Sequence, residues 1–211
     1  MTYINEHHVY TDPDAYDARS KKFLEKYNKK AWDPVIYKTG KQYISATDTV
    51  CDFGCGTLAH FPAMEQANRI YAIDTNKAMV DEGLRKLGAW RKNKIEIVIA
   101  DACNTPLAPH TCSIIWSIGL TEYTNLESLF AEMTRVATPS ALMLLQFPSA
   151  NNLMHVAIRT LNYLRGKKTK KFRTLSEIRT IAHTNNWIVI DVQSAFIRNN
   201  LWCVLRKSNP E

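Results

Sequence analysis

The sequence has no run approaching the roughly 18 to 20 uninterrupted apolar residues that a bilayer-spanning helix needs, and its opening MTYINEHHVY is too polar for a secretory signal. Both absences make a cytoplasmic protein the expectation. There is no C-x-x-C pair either. The five cysteines stand at spacings of 4, 48, 9 and 91 residues, without the repeated pairs of a zinc site, so no metal centre is expected. They are expected as thiols, with Cys51 and Cys112 in buried-strand patterns. The complete G-x-G-x-x-G dinucleotide fingerprint is missing too, which disfavours a pyrophosphate ligand.

What is present is ordinary globular composition, 45% hydrophobic and 22% charged over 211 residues. That length suits one domain, or a domain with a small cap, and buries a core without staples. The net charge of +7 and pI near 9.1 would suit a nucleic acid, an anionic lipid or an acidic metabolite. Much of the excess is local, however, in the run Arg165, Lys167, Lys168, Lys170, Lys171 and Arg173. That run lacks the interleaved aromatics of a stacking surface and reads as a solvated loop.

The most informative stretch is Val50-Cys51-Asp52-Phe53-Gly54-Cys55-Gly56-Thr57. A short apolar run ends in an acid and passes into two glycines two apart, which lets the backbone turn tightly where a ligand comes close. The spacing is Asp-x-Gly-x-Gly, and the next slot in the series holds Leu58. Two further apolar strands also end in acids: Arg69 to Asp74, and Lys94 to Asp101 followed by small Ala102. Asp74 lies 22 residues after Asp52. An acid at the tip of the second strand, roughly 20 residues beyond a glycine turn, can accept hydrogen bonds from ribose hydroxyls. Three acid-tipped strands therefore point to an adenosine ligand.

The chain around these strands alternates in the same sense. Phe61 to Asn68 is expected as the first crossover helix, with His60 near its start in a packing or solvent role, and Asn76 to Leu87 as the second, capped by Asn76. Cys112 to Ser117 reads as strand four, Leu126 to Val136 as an amphipathic helix and Ala141 to Phe147 as a buried fifth strand. Thr174 and Glu177 supply capping chemistry for a last helix before two closing strands, Trp187 to Val192 and Leu201 to Leu205.

VCDFGCGTL resembles the first motif of the class I S-adenosylmethionine (SAM) dependent methyltransferases, D-x-G-x-G-x-G, with Leu58 at the third glycine. The resemblance covers roughly residues 48 to 207. It implies an α/β fold, a doubly wound, mostly parallel sheet of seven strands in the order 3-2-1-4-5-7-6, with residues 1–45 as an amino-terminal helical lid and residues 46–211 as the cofactor-binding domain. It implies SAM as cofactor and S-adenosylhomocysteine (SAH) as product. Gly54, Cys55 and Gly56 would hold the methionine end, and Asp52 its amine. Asp74 falls at the ribose, Asp101, Ala102 and Met79 at the adenine, and Thr75, along with Ser117 at the end of strand four, is a further cofactor-binding residue.

The resemblance also places residues facing donor and acceptor after strand four, where Glu122 and Tyr123 are the best-placed groups for substrate contact or proton removal. Tyr16 and Tyr37 are the lid aromatics expected to face the acceptor. Residues 149–173 read as a helical and basic insertion of the kind that caps substrates. Neither an N-P-P-Tyr signature nor a Pro-Cys nucleophile occurs. The leading expectation is transfer of a methyl group to an oxygen or nitrogen of a small molecule by a monomer or homodimer. An RNA or other nucleic-acid acceptor gripped by the basic run is the alternative, and a SAM-binding module or a SAM-cyclising or SAM-cleaving enzyme is the third.

Overall fold

The computed structural model describes residues 34–88, 92–151, 172–194 and 200–208. Seven strands form one sheet: β1 (Thr49–Phe53), β2 (Arg69–Asp74), β3 (Ile95–Ile99), β4 (Cys112–Ser117), β5 (Ala137–Pro148), β6 (Trp187–Gln193) and β7 (Asn200–Lys207). Their order is β3-β2-β1-β4-β5-β7-β6, parallel except for β7, which runs against both β5 and β6. The expected topology is therefore the observed one.

Alternate residues along the strands enter two different cores, which is why the strands read as continuous apolar runs. Phe53, Ile115, Met143, Leu145 and Cys203 pack under helices α3 (Leu126–Val136) and α4 (Leu175–Thr184). Val50, Ala72, Trp116, Leu144 and Trp202 pack on the opposite face with Ile36 of the helix at residues 34–43, α1, and Val80 of α2 (Lys77–Lys86). There Trp116 and Trp202 meet edge to face, with ring centroids 4.8 Å apart. The helix starts follow their caps: Asn76 accepts from the Met79 amide, Asn125 from Ser128, and Thr174 and Glu177 form a reciprocal capping box.

The first crossover departs from expectation. Phe61–Ala63 is a single 3-10 turn, and no α-helix forms between β1 and β2. The amides of Leu58, Phe61, Ala63, Met64 and Ala67 each bond the carbonyl three residues back. A left-handed Leu58 and a proline at position 62 break the chain into successive tight turns, too short for i to i−4 bonding to start. Gln66 then reaches the carbonyls of Gly40 and Ile44 at 2.7 and 2.9 Å, tying the end of α1 to this crossover.

Cysteine usage is the second correction. Cys51 and Cys112, expected as thiols, are joined in a disulfide across adjacent β1 and β4, with their Cα atoms 6.0 Å apart. Both side chains enter the same core, so the fold closes a gap of 61 residues that linear spacing does not reveal. Cys55, Cys103 and Cys203 are free. The fifth strand, expected from Ala141, begins earlier: Thr138 to Ala141 form its irregular start, where pairing jumps from Cys112↔Ala137 to Ile114↔Leu142. Residues 1–33 of the expected lid, most of the 149–173 insertion and the tip of the last hairpin lie outside the described residues. No described helix is long and apolar enough to cross a membrane.

Candidate active site

The turn after β1 is held from below by β2. The Ile73 carbonyl accepts the amides of both Gly54 and Cys55, at 2.8 and 3.0 Å. Gly54, Gly56 and Leu58 have φ of +77°, +50° and +55°, so three left-handed residues alternate with ordinary ones. The third glycine of the motif is replaced in side chain but not in conformation. Leu58 is 3% exposed and packs with Phe61 and Met64, and that burial holds it in a region costing a non-glycine residue roughly 1–2 kcal/mol. Gly83 of α2 lies so close to the turn that an added Cβ would stand 2.6 Å from the carbonyl carbon and oxygen of Thr57.

Asp74 links the turn to the next helix. One carboxylate oxygen accepts the Gly56 amide and the other the Asn76 amide, both at 2.8 Å. Each oxygen keeps a further lone pair for a ligand hydroxyl. At the end of β3, Asp101 is exposed and accepts the Cys103 amide at 2.8 Å, with Ala102 buried beside it.

These strand ends enclose a cavity of about 580 Å³. Its wall includes ten residues singled out from the sequence: Gly54, Cys55, Gly56, Asp74, Thr75, Met79, Asp101, Ala102, Glu122 and Tyr123. Three others are not on that wall. Asp52 is 4% exposed, between Ala72 and Trp116 in the sheet register. The Ser117 hydroxyl donates to the Phe53 carbonyl at 2.9 Å and ties β4 to β1. Tyr37 packs against the core under α1, and Tyr16 lies outside the described residues. The wall also contains Thr57, His60, Asn76, Cys103, Asn125 and Ser128, which the sequence reading did not assign to a ligand. Asn76 and Asn125 are helix caps, and caps that follow strand ends border the cavity; His60 had no such signal.

The electrostatics favour a cation. Asp74, Asp101 and Glu122 face the cavity, and among its described lining residues there is no lysine or arginine. Burial, and then the nearby charge of Asp74, push the Asp52 carboxyl up to about 8. Burial followed by the charges of Asp52 and Asp74 also pushes the Cys55 thiol well up. Cys103, raised to about 11 by burial and then by Asp101, is likewise a neutral thiol at the wall. No cluster of metal-ligating side chains occurs among the described residues.

Residues 51–145 match the family model described as a methyltransferase domain. No curated protein shows significant sequence similarity to the chain. Magnesium protoporphyrin IX methyltransferase of Synechocystis, solved with bound SAH, superposes with a TM-score of 0.73 at 14% identity, over 95% of this chain and 97% of that one. A SAM-dependent methyltransferase of Aquifex aeolicus gives 0.65 at 18% identity, over 93% and 98%. A structure of the complex between the Haloferax volcanii Trm112 methyltransferase activator and a methyltransferase gives 0.74 at 14% identity, over 96% and 99%.

Proposed function

We propose that this chain, which has the class I methyltransferase fold, is a SAM-dependent methyltransferase whose methyl acceptor is a small molecule, neutral or cationic at the reacting atom. The observation carrying this reading is the cavity wall, with three carboxylates and no lysine or arginine among its described residues. A polyanionic acceptor would meet repulsion from Asp74, Asp101 and Glu122, whereas a sulfonium cofactor with an ammonium group is attracted. Gly56, with φ of +50° and no atom nearer than 3.8 Å to a Cβ built there, leaves room for a ligand against the backbone.

Bound SAM supplies an activated methyl group on a good, neutral leaving group. The protein holds and orients. The turn at Gly54, Cys55 and Gly56 would take the methionine end and Asp74, with Thr75 beside it, the ribose hydroxyls. Asp101, Ala102 and Met79 would flank the adenine. Asp52 lies behind the turn and would act on the methionine amine through an intervening water. Glu122 and Tyr123 project from the loop after β4 and would orient the acceptor and take its proton as the new bond forms.

Metabolite extracts incubated with the protein and methyl-labelled SAM, read by mass spectrometry, test the proposal; a labelled small molecule is the expected product. Label appearing in an RNA pool, with binding that falls steeply as salt rises, would overturn it in favour of the basic run as an RNA grip. Consumption of SAM with no methylated product would point instead to cofactor cleavage or cyclisation.

A further inference from the structure

We infer that Gln146 is a positioning residue that sets the loop carrying Glu122 and Tyr123 against the cofactor turn, an inference that rests on the cofactor and acceptor reading above. Within the apolar run ALMLLQF of an interior strand, this glutamine is the single polar residue. Strand β4 stays paired with β5 as far as Ser117↔Leu145. It then leaves the sheet, and Gly119 takes φ of +71° where a Cβ would touch nothing within 4 Å. Conformation rather than space calls for glycine there.

Gln146 continues where the ladder stops. Its side-chain Oε1 accepts the Gly119 amide at 3.0 Å, and its backbone carbonyl accepts the Thr121 hydroxyl at 2.8 Å. One residue thus holds the loop at two points. Thr121 is 4% exposed, so its hydroxyl bond is sheltered from water. Further along, the Tyr123 amide closes on the Leu120 carbonyl at 2.9 Å, and Asn125 is fixed as the cap of α3. Between these anchors, Leu120 is set against Gly54, with its Cβ 3.2 Å from where a Cβ on that glycine would be. Leu120, Glu122 and Tyr123 all line the cavity. Gln146 itself is not on that wall, so its effect on a ligand must pass through the loop.

The test compares Gln146→Leu, Gln146→Glu and Thr121→Val by SAH calorimetry and by thermal unfolding without ligand. Gln146→Leu is expected to weaken SAH binding about three- to fivefold, as loss of the one side-chain hydrogen bond to the Gly119 amide implies. Gln146→Glu keeps an acceptor oxygen for the Gly119 amide and is expected to stay within about twofold of wild type. A merely structural role would lower the melting temperature of the leucine variant while leaving its SAH Kd within twofold, and that result would overturn the inference. If Gln146→Leu does not fold, Thr121→Val decides: about a threefold weakening supports the clamp, and an unchanged Kd sinks it. Wild-type protein that fails to bind SAH would overturn the cofactor reading and this inference together; wild-type binding with unaffected variants would overturn this inference alone.

Discussion

The Gly56 amide donates to the Asp74 carboxylate at 2.8 Å, which makes the turn after β1 and the acid at the tip of β2 one bonded unit. The Asn76 amide, on the second oxygen, brings the start of α2 into the same unit. The cofactor contacts proposed for the two motif segments would therefore be coupled through a single side chain.

Replacing Asp74 should act on both the turn and the ligand. Asp74→Ala removes two charge-assisted bonds, each contributing about 1.5–3 kcal/mol, together with the proposed ribose contact. SAH calorimetry should show affinity reduced at least about tenfold, with Asp74→Asn intermediate because one acceptor oxygen remains. Unchanged affinity in the alanine variant would remove the ribose assignment.

Asp52 predicts a stability slope with a definite sign. Its folded carboxyl titrates near 8 against 3.8 for the free group, so between those values the folded state keeps a proton that the unfolded state has released. Its contribution is fully present below the lower value and is lost as pH rises through the upper one. Thermal unfolding of the ligand-free protein should show Asp52→Asn gaining on wild type as pH goes from 5 to about 8. Parallel melting curves across that window would contradict the assignment.

Leu58 should invert a familiar order of damage. Leu58→Ala keeps the left-handed backbone and loses packing, a cost of about 2–5 kcal/mol. Leu58→Gly loses the same packing but relieves roughly 1–2 kcal/mol of backbone strain. Part of that relief is offset by the entropy of glycine in the unfolded chain. Urea denaturation should find glycine the less harmful of the two, and alanine being clearly milder would mean that the backbone at Leu58 is not left-handed.

Gly83→Ala tests the approach of α2 to the turn. Alanine is worth up to about 1 kcal/mol more than glycine in a helix, yet here its Cβ meets rigid backbone at Thr57. Net destabilisation of about 1–3 kcal/mol is expected, with weaker SAH binding because Thr57 lines the cavity. A more stable variant would show that the helix stands further off.

Glu122→Gln should separate binding from chemistry. With an acceptor in hand, transfer is expected to fall by about 10²–10⁴ while SAH affinity changes little. An equal fall in both would make Glu122 a cofactor ligand instead.

The acids at 74 and 101 and the glycines at 54 and 56 were legible because strand ends and turns are local events, written in a few neighbouring residues. Helix caps at Asn76 and Thr174 were legible for the same reason. The crossover after Leu58 was not, since a helical spacing of apolar residues is equally satisfied by successive tight turns. His60 and Tyr37 show the same limit from opposite sides: the first lines the cavity and the second packs in the core, and nothing in their neighbours distinguishes them.

By itself, then, the chain determined the strand pattern, the acid-tipped strand ends and the glycine turn beside them, because periodicity and turn chemistry act over short range. Tertiary structure decided that Cys51 meets Cys112, that Leu58 is held left-handed by burial, that Asp52 lies behind the wall, and that Gln146 clamps the loop after β4. Each of these depends on which distant segment packs alongside, and that is set by the sheet order and its two cores.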